Sequence, residues 1–187
     1  KIKYRGLYKK KTYNTTAMNA YVKNTFRGKK VVLYDTMLLK FTKEEIMFVI
    51  GHEFGHIKRK HFLPLNISYG FGIIGSQLLL YNVVVSQKSY LDFNFLEFNF
   101  MNMLIVSYAL ILITWKFIKI PLNYMSRVLE YSADKFCIKE LGKDGLIRVL
   151  MQLSTSNLAD LHPSRLDIII NYSHPTISQR VMRAKLI

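Results

Sequence analysis

Cysteine is almost missing from this chain of 187 residues. The single cysteine, Cys137, excludes an internal disulfide framework, and its place on a predicted helix favours packing over reaction. Acidic residues are also scarce, with 12 Asp and Glu against 27 Lys and Arg, so the net charge is +15. Such an excess often indicates a nucleic-acid partner, but the chain has no motif that reads a nucleic-acid groove. We therefore expect no nucleic-acid partner.

Charged residues of either sign are absent from two long stretches. Residues 62–87 contain no Asp, Glu, Lys or Arg, and residues 98–115 contain none either. Each stretch approaches the roughly 20 residues that a helix needs to cross a bilayer. The sequence therefore predicts transmembrane helices at 63–85 and 98–118. The alternative is a helical hairpin buried inside a soluble domain.

Basic residues are concentrated beside the first of these stretches. The first 34 residues carry ten Lys and Arg and no acid, and Lys58-Arg59-Lys60 directly precedes the apolar residues. By the positive-inside rule, this basic side is cytosolic and the loop between the two stretches lies on the far side. Basic residues that flank apolar spans indicate contact with a membrane surface, so we expect the lipid bilayer as a partner.

A metal-binding pattern, His52-Glu53-Phe54-Gly55-His56, precedes the first apolar stretch. Thr42 and Glu45 have the spacing of a capping box, which predicts a helix from about residue 43 to residue 60. Two histidines four residues apart project from one face of a helix and can bind one metal ion, and Gly55 allows another segment to approach closely. The glutamate between them can accept a proton from a metal-bound water, as in a zinc hydrolase. A merely structural histidine pair is the alternative.

A zinc hydrolase needs a third protein ligand and an open position for water. His61 does not fit the longer pattern with a third histidine, because it lies five residues after His56 rather than six. We expect His61 to be an interfacial histidine at the membrane boundary. Glu130 and Asp134 share one face of a predicted helix, and two acids on a face that packs towards the core require a cation or metal-bound histidines opposite. Glu130 would then bind zinc, and Asp134 would accept the free N–H of a ligand histidine; a solvated acidic pair is the alternative.

Four ordered motifs together resemble a known family. They are the His-Glu-x-x-His pattern, Arg127-x-x-Glu130-x-x-x-Asp134, Ser173-His174-Pro175-Thr176 with Arg180, and Asn19-Ala20-Tyr21 before the predicted strand at 29–36. With them the chain resembles the M48 family of membrane zinc peptidases, and within it the Ste24 branch of prenyl-protein (CAAX) endopeptidases. The resemblance covers nearly the whole chain, from about Asn19 to the end.

The resemblance implies a role for each matching residue. The implied ligands of one zinc ion per chain are His52, His56 and Glu130, the implied catalytic base is Glu53, and the matching residues of the second and the terminal motif are Asp134 and Arg180. His174 matches a histidine that steadies the oxyanion, and its place beside a proline at a turn also favours a preorganised donor. Asn19 and Ala20 match an edge strand along which the substrate peptide is aligned.

The implied reaction is peptide hydrolysis. Zinc would lower the pKa of a bound water, Glu53 would accept its proton, and the hydroxide would attack a carbonyl of a peptide paired with the Asn19-Ala20 strand. The substrate would be a prenylated CAAX-type peptide or protein, at the cytosolic side of the endoplasmic reticulum membrane. The alternatives are a general quality-control zinc protease of the same family and a catalytically inactive membrane scaffold. Family members have additional N-terminal membrane helices, so we expect the chain to be the C-terminal part of a longer protein.

These observations predict a mainly α membrane protein with a zincin-like (gluzincin-type) metalloprotease core, a small β-hairpin or sheet, and two transmembrane helices. We expect a single M48-type peptidase domain over residues 1–187. Its predicted parts are a hairpin within 14–35 with a turn at 27–29, the zinc helix at 43–60, the two spans, and a helical region at 121–187. Within that last region we predict helices from Pro121 or Leu122 to about 141, from 145 to 158, and from a cap at Thr176 onwards, while 166–172 fits either helix or extended chain.

Overall fold

The computed structural model of the chain describes residues 4–13, 15–87, 100–157, 160 and 163–187. Within them, three strands form one sheet in the order β1-β3-β2, namely β1 (Gly6–Lys10), β2 (Ala20–Thr25) and β3 (Gly28–Tyr34). The strands β2 and β3 form the predicted hairpin, but the turn lies at Phe26 and Arg27, one residue earlier than predicted. Strand β1 was not predicted, because its parallel pairing with β3 is long-range and no alternating pattern indicates it.

Seven helices are present in these ranges: α1 (Asp35–Lys40), α2 (Lys43–Lys58), α3 (Phe62–Gln87), α4 (Phe100–Leu141), α5 (Lys143–Ser156), α6 (Arg165–Asn171) and α7 (Ile177–Lys185). The helix α2 begins at the predicted capping box, where Thr42 and Glu45 exchange side-chain to backbone hydrogen bonds. Thr176 makes the same reciprocal bonds with Gln179 at the start of α7. The helix α1 was not predicted, and it replaces the last two residues of the strand expected at 29–36.

The helix α4 corrects the prediction of two separate elements. It continues for 42 residues through Pro121, where a helix start was predicted. The proline ring removes one backbone hydrogen bond from the helix, whereas ending the helix there would leave several backbone groups at the two new helix ends without intrahelical partners. The helix ends at Leu141 before Gly142, as predicted, and Gly142 has a φ of +91° that favours glycine.

The helix α3 carries the first predicted membrane span. Its segment Phe62–Leu79 is long and apolar enough to cross a membrane, and none of it is buried inside the protein, so the alternative of a buried hairpin is wrong for this helix. No other segment of the described ranges passes that test, and the second span at 98–118 is therefore not confirmed. Its residues 98 and 99, and the connecting loop from 88 to 97, lie outside the described residues.

The apolar core lies between the sheet and helices α2, α4 and α5. One cluster of buried side chains joins the two hairpin strands to α1, α2 and α5 and includes Val31, Met37 and Val149. A second cluster joins α4 to α5 around Cys137, which is fully buried. Burial raises the pKa of the Cys137 thiol to about 12, so this cysteine packs as predicted. The core fixes α2, with its histidines, between the sheet and α4.

Candidate metal centre

Helices α2 and α4 pack closely together at two small residues, Gly55 and Ala133. A Cβ atom on Gly55 would lie 2.9 Å from the Cα of Ala133 and 3.0 Å from its carbonyl oxygen, which is closer than an ordinary contact of about 3.5 Å or more. Gly55 therefore allows the close approach that was predicted for it. Because Glu130 lies one turn before Ala133, this crossing brings the Glu130 carboxylate opposite the two histidines of α2.

The three predicted metal ligands direct their donor atoms to one place between the two helices. The Nε2 atoms of His52 and His56 are 3.1 Å apart, and the two oxygens of Glu130 lie 3.3 Å and 3.2 Å from these same nitrogens. One ligand atom from each residue lies within 4.8 Å of the others. Two imidazoles and a carboxylate are a donor set that zinc commonly takes in hydrolases, so these residues fit a zinc ion.

Asp134 orients the first of these ligands. Its Oδ1 atom lies 2.9 Å from Nδ1 of His52, which directs the opposite nitrogen of the ring towards Glu130. Arg180 on α7 donates to both oxygens of Asp134, at 2.6 Å and 2.8 Å. Burial raises the pKa of Asp134, but the charge of Arg180 and the hydrogen bonds from His52 and Arg180 together outweigh this effect and lower the pKa to about 2. The carboxylate is therefore ionised at neutral pH and can accept the imidazole N–H.

The charges around the histidines favour a cation between them. Burial raises the pKa of Glu130, but hydrogen bonds from the three histidines around it, His174 first, hold that pKa well below its usual range. Burial lowers the pKa of His52, but its hydrogen bonds to the two acids outweigh this effect and raise the pKa to about 9. Burial also raises the pKa of Glu53, whose side chain faces the adjoining cavity. Two ionised acids thus surround the donor nitrogens.

His61 is not the interfacial histidine that was predicted. Only 3% of its surface is exposed, and its Nδ1 atom lies 3.0 Å from Nδ1 of His56. The prediction was wrong because Lys60 interrupts the helix in the left-handed conformation, which brings the His61 ring against the last turn of α2. Burial and the neighbouring charge of His56 lower the pKa of His61 to about 4.

His174 lies at the rim of the site. Its Nδ1 atom is 3.3 Å from an oxygen of Glu130, while 67% of its side chain is exposed. The segment that carries it is held by α4, because buried Arg127 donates to the carbonyl oxygens of Ile168 and Tyr172, at 2.9 Å and 2.6 Å. A similar bond joins Asn123 to the carbonyl oxygen of Ile170, at 2.8 Å.

Four polar residues of α4 thus share one face of the helix. They are Asn123, Arg127, Glu130 and Asp134, at spacings of four, three and four residues, which is the period of a single helix face. The first two hold the segment of His174 and the last two hold the histidines of α2. The motif spacing predicted the roles of Glu130 and Asp134, and the same periodicity, extended backwards, would have found Asn123.

A cavity of about 610 Å³ opens beside the donor atoms. Its walls come from β2 and the residues before it, from α2 and α5, and from His174. The predicted substrate residues, Asn19 and Ala20, both line it. The strand β2 is at an edge of the sheet, and the carbonyl of Asn19 accepts from the N–H of Tyr34 in β3, at 3.0 Å. Because the backbone groups of successive residues in a strand point to opposite sides, those of Ala20 point away from β3 and are open to another chain.

Asn157 closes one end of that edge, which the sequence did not predict. Its side chain accepts from the backbone N–H of Met18 at 2.9 Å and donates to the carbonyl oxygen of Met18 at 3.0 Å. These two bonds satisfy the backbone of Met18 in the way that a neighbouring strand would. The part of the edge that remains for another chain therefore begins at Ala20.

Comparisons with known proteins agree on one family. A family model described as peptidase family M48 matches residues 2–186. A protein named CAAX prenyl protease 1 homolog from Arabidopsis thaliana is 31% identical over 168 residues, which cover 87% of this chain and 39% of that protein. A protein named uncharacterized metalloprotease YhfN from Bacillus subtilis is 28% identical over 180 residues, which cover 91% of this chain and 41% of that protein.

A solved structure gives the same result. The crystal structure of S. mikatae Ste24p aligns with a TM-score of 0.68 and 26% sequence identity, and the alignment covers 90% of this chain and 42% of that chain. The chain therefore spans about two fifths of the length of the relatives that it matches.

Proposed function

The chain belongs to peptidase family M48, and from this premise we propose that it is the catalytic part of a membrane zinc metalloendopeptidase. The proposed reaction is hydrolysis of peptide bonds near the C-terminus of prenylated CAAX proteins. One observation carries the proposal: the donor atoms of His52, His56 and Glu130 converge beside Glu53 at the mouth of a cavity that a sheet edge lines.

His52, His56 and Glu130 would hold one zinc ion through the two Nε2 atoms and a carboxylate oxygen. Zinc bound there would supply a Lewis acid that lowers the pKa of a water and polarises a carbonyl oxygen. Asp134 keeps the His52 ring in the orientation that zinc binding requires, because its Oδ1 atom accepts the N–H at Nδ1 of His52. Arg180 in turn holds Asp134 in place through two hydrogen bonds.

Glu53 would serve as the general base and then as the general acid. It follows His52 directly, and its side chain faces the cavity, where a water and a substrate carbonyl can meet. The carboxylate would accept a proton from the water and return it to the nitrogen of the leaving peptide. His174 is within hydrogen-bonding reach of Glu130 at the same mouth, which supports the proposal that it donates to the oxygen of the substrate carbonyl.

The substrate peptide would add to the edge of β2. Ala20 directs its backbone groups away from β3, so an extended peptide can pair with it as an additional strand. The cavity beside this edge is mostly apolar, with Val149, Leu150 and Leu153 from α5 in its wall, and it would accept an apolar side chain next to the cleaved bond.

The membrane helix supports a lipid-anchored substrate. The helix α3 begins at Phe62, six residues after His56, and the basic residues 58–60 precede it. The positive-inside rule would place these residues, and with them the metal centre, on the cytosolic side. We propose an endoplasmic reticulum membrane on the basis of the resemblance to the CAAX proteases.

Glu53→Gln tests the reaction directly. In the full chain in detergent or lipid, we expect the variant to bind zinc like the wild type and to lose peptide cleavage by about 10²-fold or more, since the proton acceptor is gone. A matched substitution outside the site is Glu44→Gln, on the exposed first turn of α2, which should leave cleavage unchanged. Normal cleavage by Glu53→Gln would show that the assignment is wrong.

A general quality-control protease of the same family is the second candidate. It is favoured by the match to a bacterial relative that is named only as a metalloprotease. A pair of peptides with and without a prenyl group separates the two functions. Equal rates of cleavage would favour the general protease, whereas a strong preference for the prenylated peptide would favour CAAX processing. A pure wild-type chain that holds no zinc would instead indicate an inactive scaffold.

A further inference from the structure

The turn between the metal-binding helix and the membrane helix has the hydrogen bonds of a Schellman motif. The helix α2 ends at Lys58 with Arg59 as its C-cap. The N–H of Lys60 donates to the carbonyl of Ile57 at 3.3 Å, and the N–H of His61 donates to the carbonyl of His56 at 3.2 Å. Lys60 has a φ of +55°, the left-handed conformation that this motif requires.

The motif brings His61 against one particular residue. In a Schellman motif, the residue after the left-handed position contacts the residue whose carbonyl it bonds, and this contact is usually apolar. Here both residues are histidines. The ring centroids of His56 and His61 are 4.9 Å apart at an angle of 87°, and their Nδ1 atoms are 3.0 Å apart.

Two contacts hold this turn rigidly from outside. The guanidinium of Arg59 donates to the hydroxyl of Ser132 on α4, at 2.6 Å. The ammonium of Lys29, from β3, lies 3.4 Å from the carbonyl oxygen of Ile57 and 5.6 Å above the ring of Phe62. The turn that carries His61 is therefore joined to α4 and to the sheet.

The geometry determines which nitrogen carries each proton once His56 binds a metal. His56 directs Nε2 towards Glu130 and His52, so a metal there requires Nε2 without a proton and an N–H at Nδ1. The nearest partner of that N–H is Nδ1 of His61, which must then accept. The Nε2 atom of His61 carries the other proton, and among the described residues this buried atom has no hydrogen-bond partner.

We propose that His61 is the positioning residue of the second zinc ligand: it accepts the Nδ1–H of His56 and so fixes the ring and its tautomer, as Asp134 does for His52. This inference rests on the proposed metal centre. A buried N–H without a partner costs about 1–3 kcal/mol, and a residue that only filled space would avoid this cost if it were apolar. The orphaned Nε2 atom thus favours an accepting role for the opposite nitrogen.

Two substitutions separate positioning from packing. In His61→Asn, the side-chain oxygen occupies the place of Nδ1 and can accept the same proton, while most of the ring is lost. In His61→Leu, a buried apolar side chain fills the space but accepts nothing. His61→Gln carries the same amide one bond further from the backbone, and so removes the acceptor from its place without removing the group.

The measurement is zinc affinity of the full chain in detergent, by competition with a chromophoric chelator. We expect His61→Asn to bind zinc within about threefold of the wild type, and His61→Leu and His61→Gln to bind about 10- to 100-fold more weakly, which is the usual effect of losing such a partner. Equal affinities of all three variants, or retention by Leu with loss by Asn, would overturn the proposal. Thermal unfolding of the metal-free proteins confirms that each variant is folded before the comparison.

The outcomes also distinguish this inference from the proposed function. A wild-type chain that binds zinc without cleaving any peptide contradicts the proposed reaction, yet the order of the three affinities still decides the role of His61. A wild-type chain that binds no zinc overturns the metal centre and this inference together. If His61→Asn retains both zinc affinity and peptide cleavage, the result supports the proposed function and the role of His61 together.

Discussion

Gly55→Ala is the substitution whose effect follows most directly from the structure. The added Cβ would lie 2.9 Å from the Cα of Ala133 and 3.2 Å from its Cβ. An ordinary contact between carbon atoms needs about 3.5 Å, so α4 has to move away by roughly 0.5 Å. Because the obstacle is backbone rather than the end of a side chain, a change of rotamer cannot remove it.

The displacement acts on the metal centre through Glu130, one turn away on the same helix. Metal–ligand distances in proteins tolerate deviations of about 0.2 Å, which is less than the expected movement. We therefore expect zinc affinity to fall by about 10- to 100-fold. The free energy of unfolding should change less, because an overpacking cost of about 1–3 kcal/mol is offset by the gain of about 1 kcal/mol from replacing glycine with alanine inside a helix.

Gly51→Ala is the matched control, because it lies one turn earlier on the same helix. Its added Cβ would meet the Cδ1 atom of Leu141 at 2.7 Å, but that atom is the end of a flexible side chain and can move. Zinc competition and thermal unfolding, measured on both variants, give the comparison. Equal zinc affinities of the two variants would refute the reasoning that close contact at Gly55 sets the position of Glu130.

Two further predictions concern α4. Arg127→Met should lower the rate of peptide cleavage about 10- to 100-fold and leave the zinc content unchanged. The reason is that the carbonyls of Ile168 and Tyr172 lose their hydrogen-bond donor, so that the segment of His174 is held less firmly. A fall in zinc content would contradict this explanation. Cys137 should resist iodoacetamide at pH 8.5 in the folded chain and react in urea, since its folded pKa of about 12 lies above the ordinary value of 9.0. The raised pKa also stabilises the folded chain below pH 9, and this stabilisation is lost as the pH rises towards 12. Rapid labelling of the folded chain at pH 8.5 would contradict the prediction that Cys137 is protected.

The parts of the structure that depend on neighbouring residues could be predicted from the sequence. The capping boxes at Thr42 and Thr176 and the end of α4 before Gly142 are local, and each is present. The facing of His52 and His56 also follows from helix periodicity alone. Glu130 could be predicted as a ligand because an acid on the core-facing side of a helix needs a partner, and the two histidines of α2 were the candidate partners.

The parts that depend on distant residues could not be predicted in the same way. Strand β1 forms only by pairing with β3, about twenty residues later, and its own sequence has no alternating pattern of apolar and polar residues. The helix passes through Pro121 because the proline removes only one backbone hydrogen bond, and the local sequence does not show whether the helix bears that loss. His61 was misplaced because counting residues along α2 does not show that Lys60 takes the left-handed conformation and directs His61 against His56.

The turn at residues 59–61 connects two features which the sequence suggested separately, a metal centre and a membrane helix. Only three residues, 59–61, separate α2 from α3, and the last of them contacts a proposed zinc ligand. A tilt of α3 relative to α2 would move the His61 backbone and lengthen its bond to His56, whereas the bond of His52 joins α2 to Asp134 of α4, which Arg180 of α7 holds in place. The two proposed histidine ligands therefore differ in how they are held: His52 bonds to Asp134 on the helix that carries Glu130, and His56 bonds to His61, the residue directly before α3.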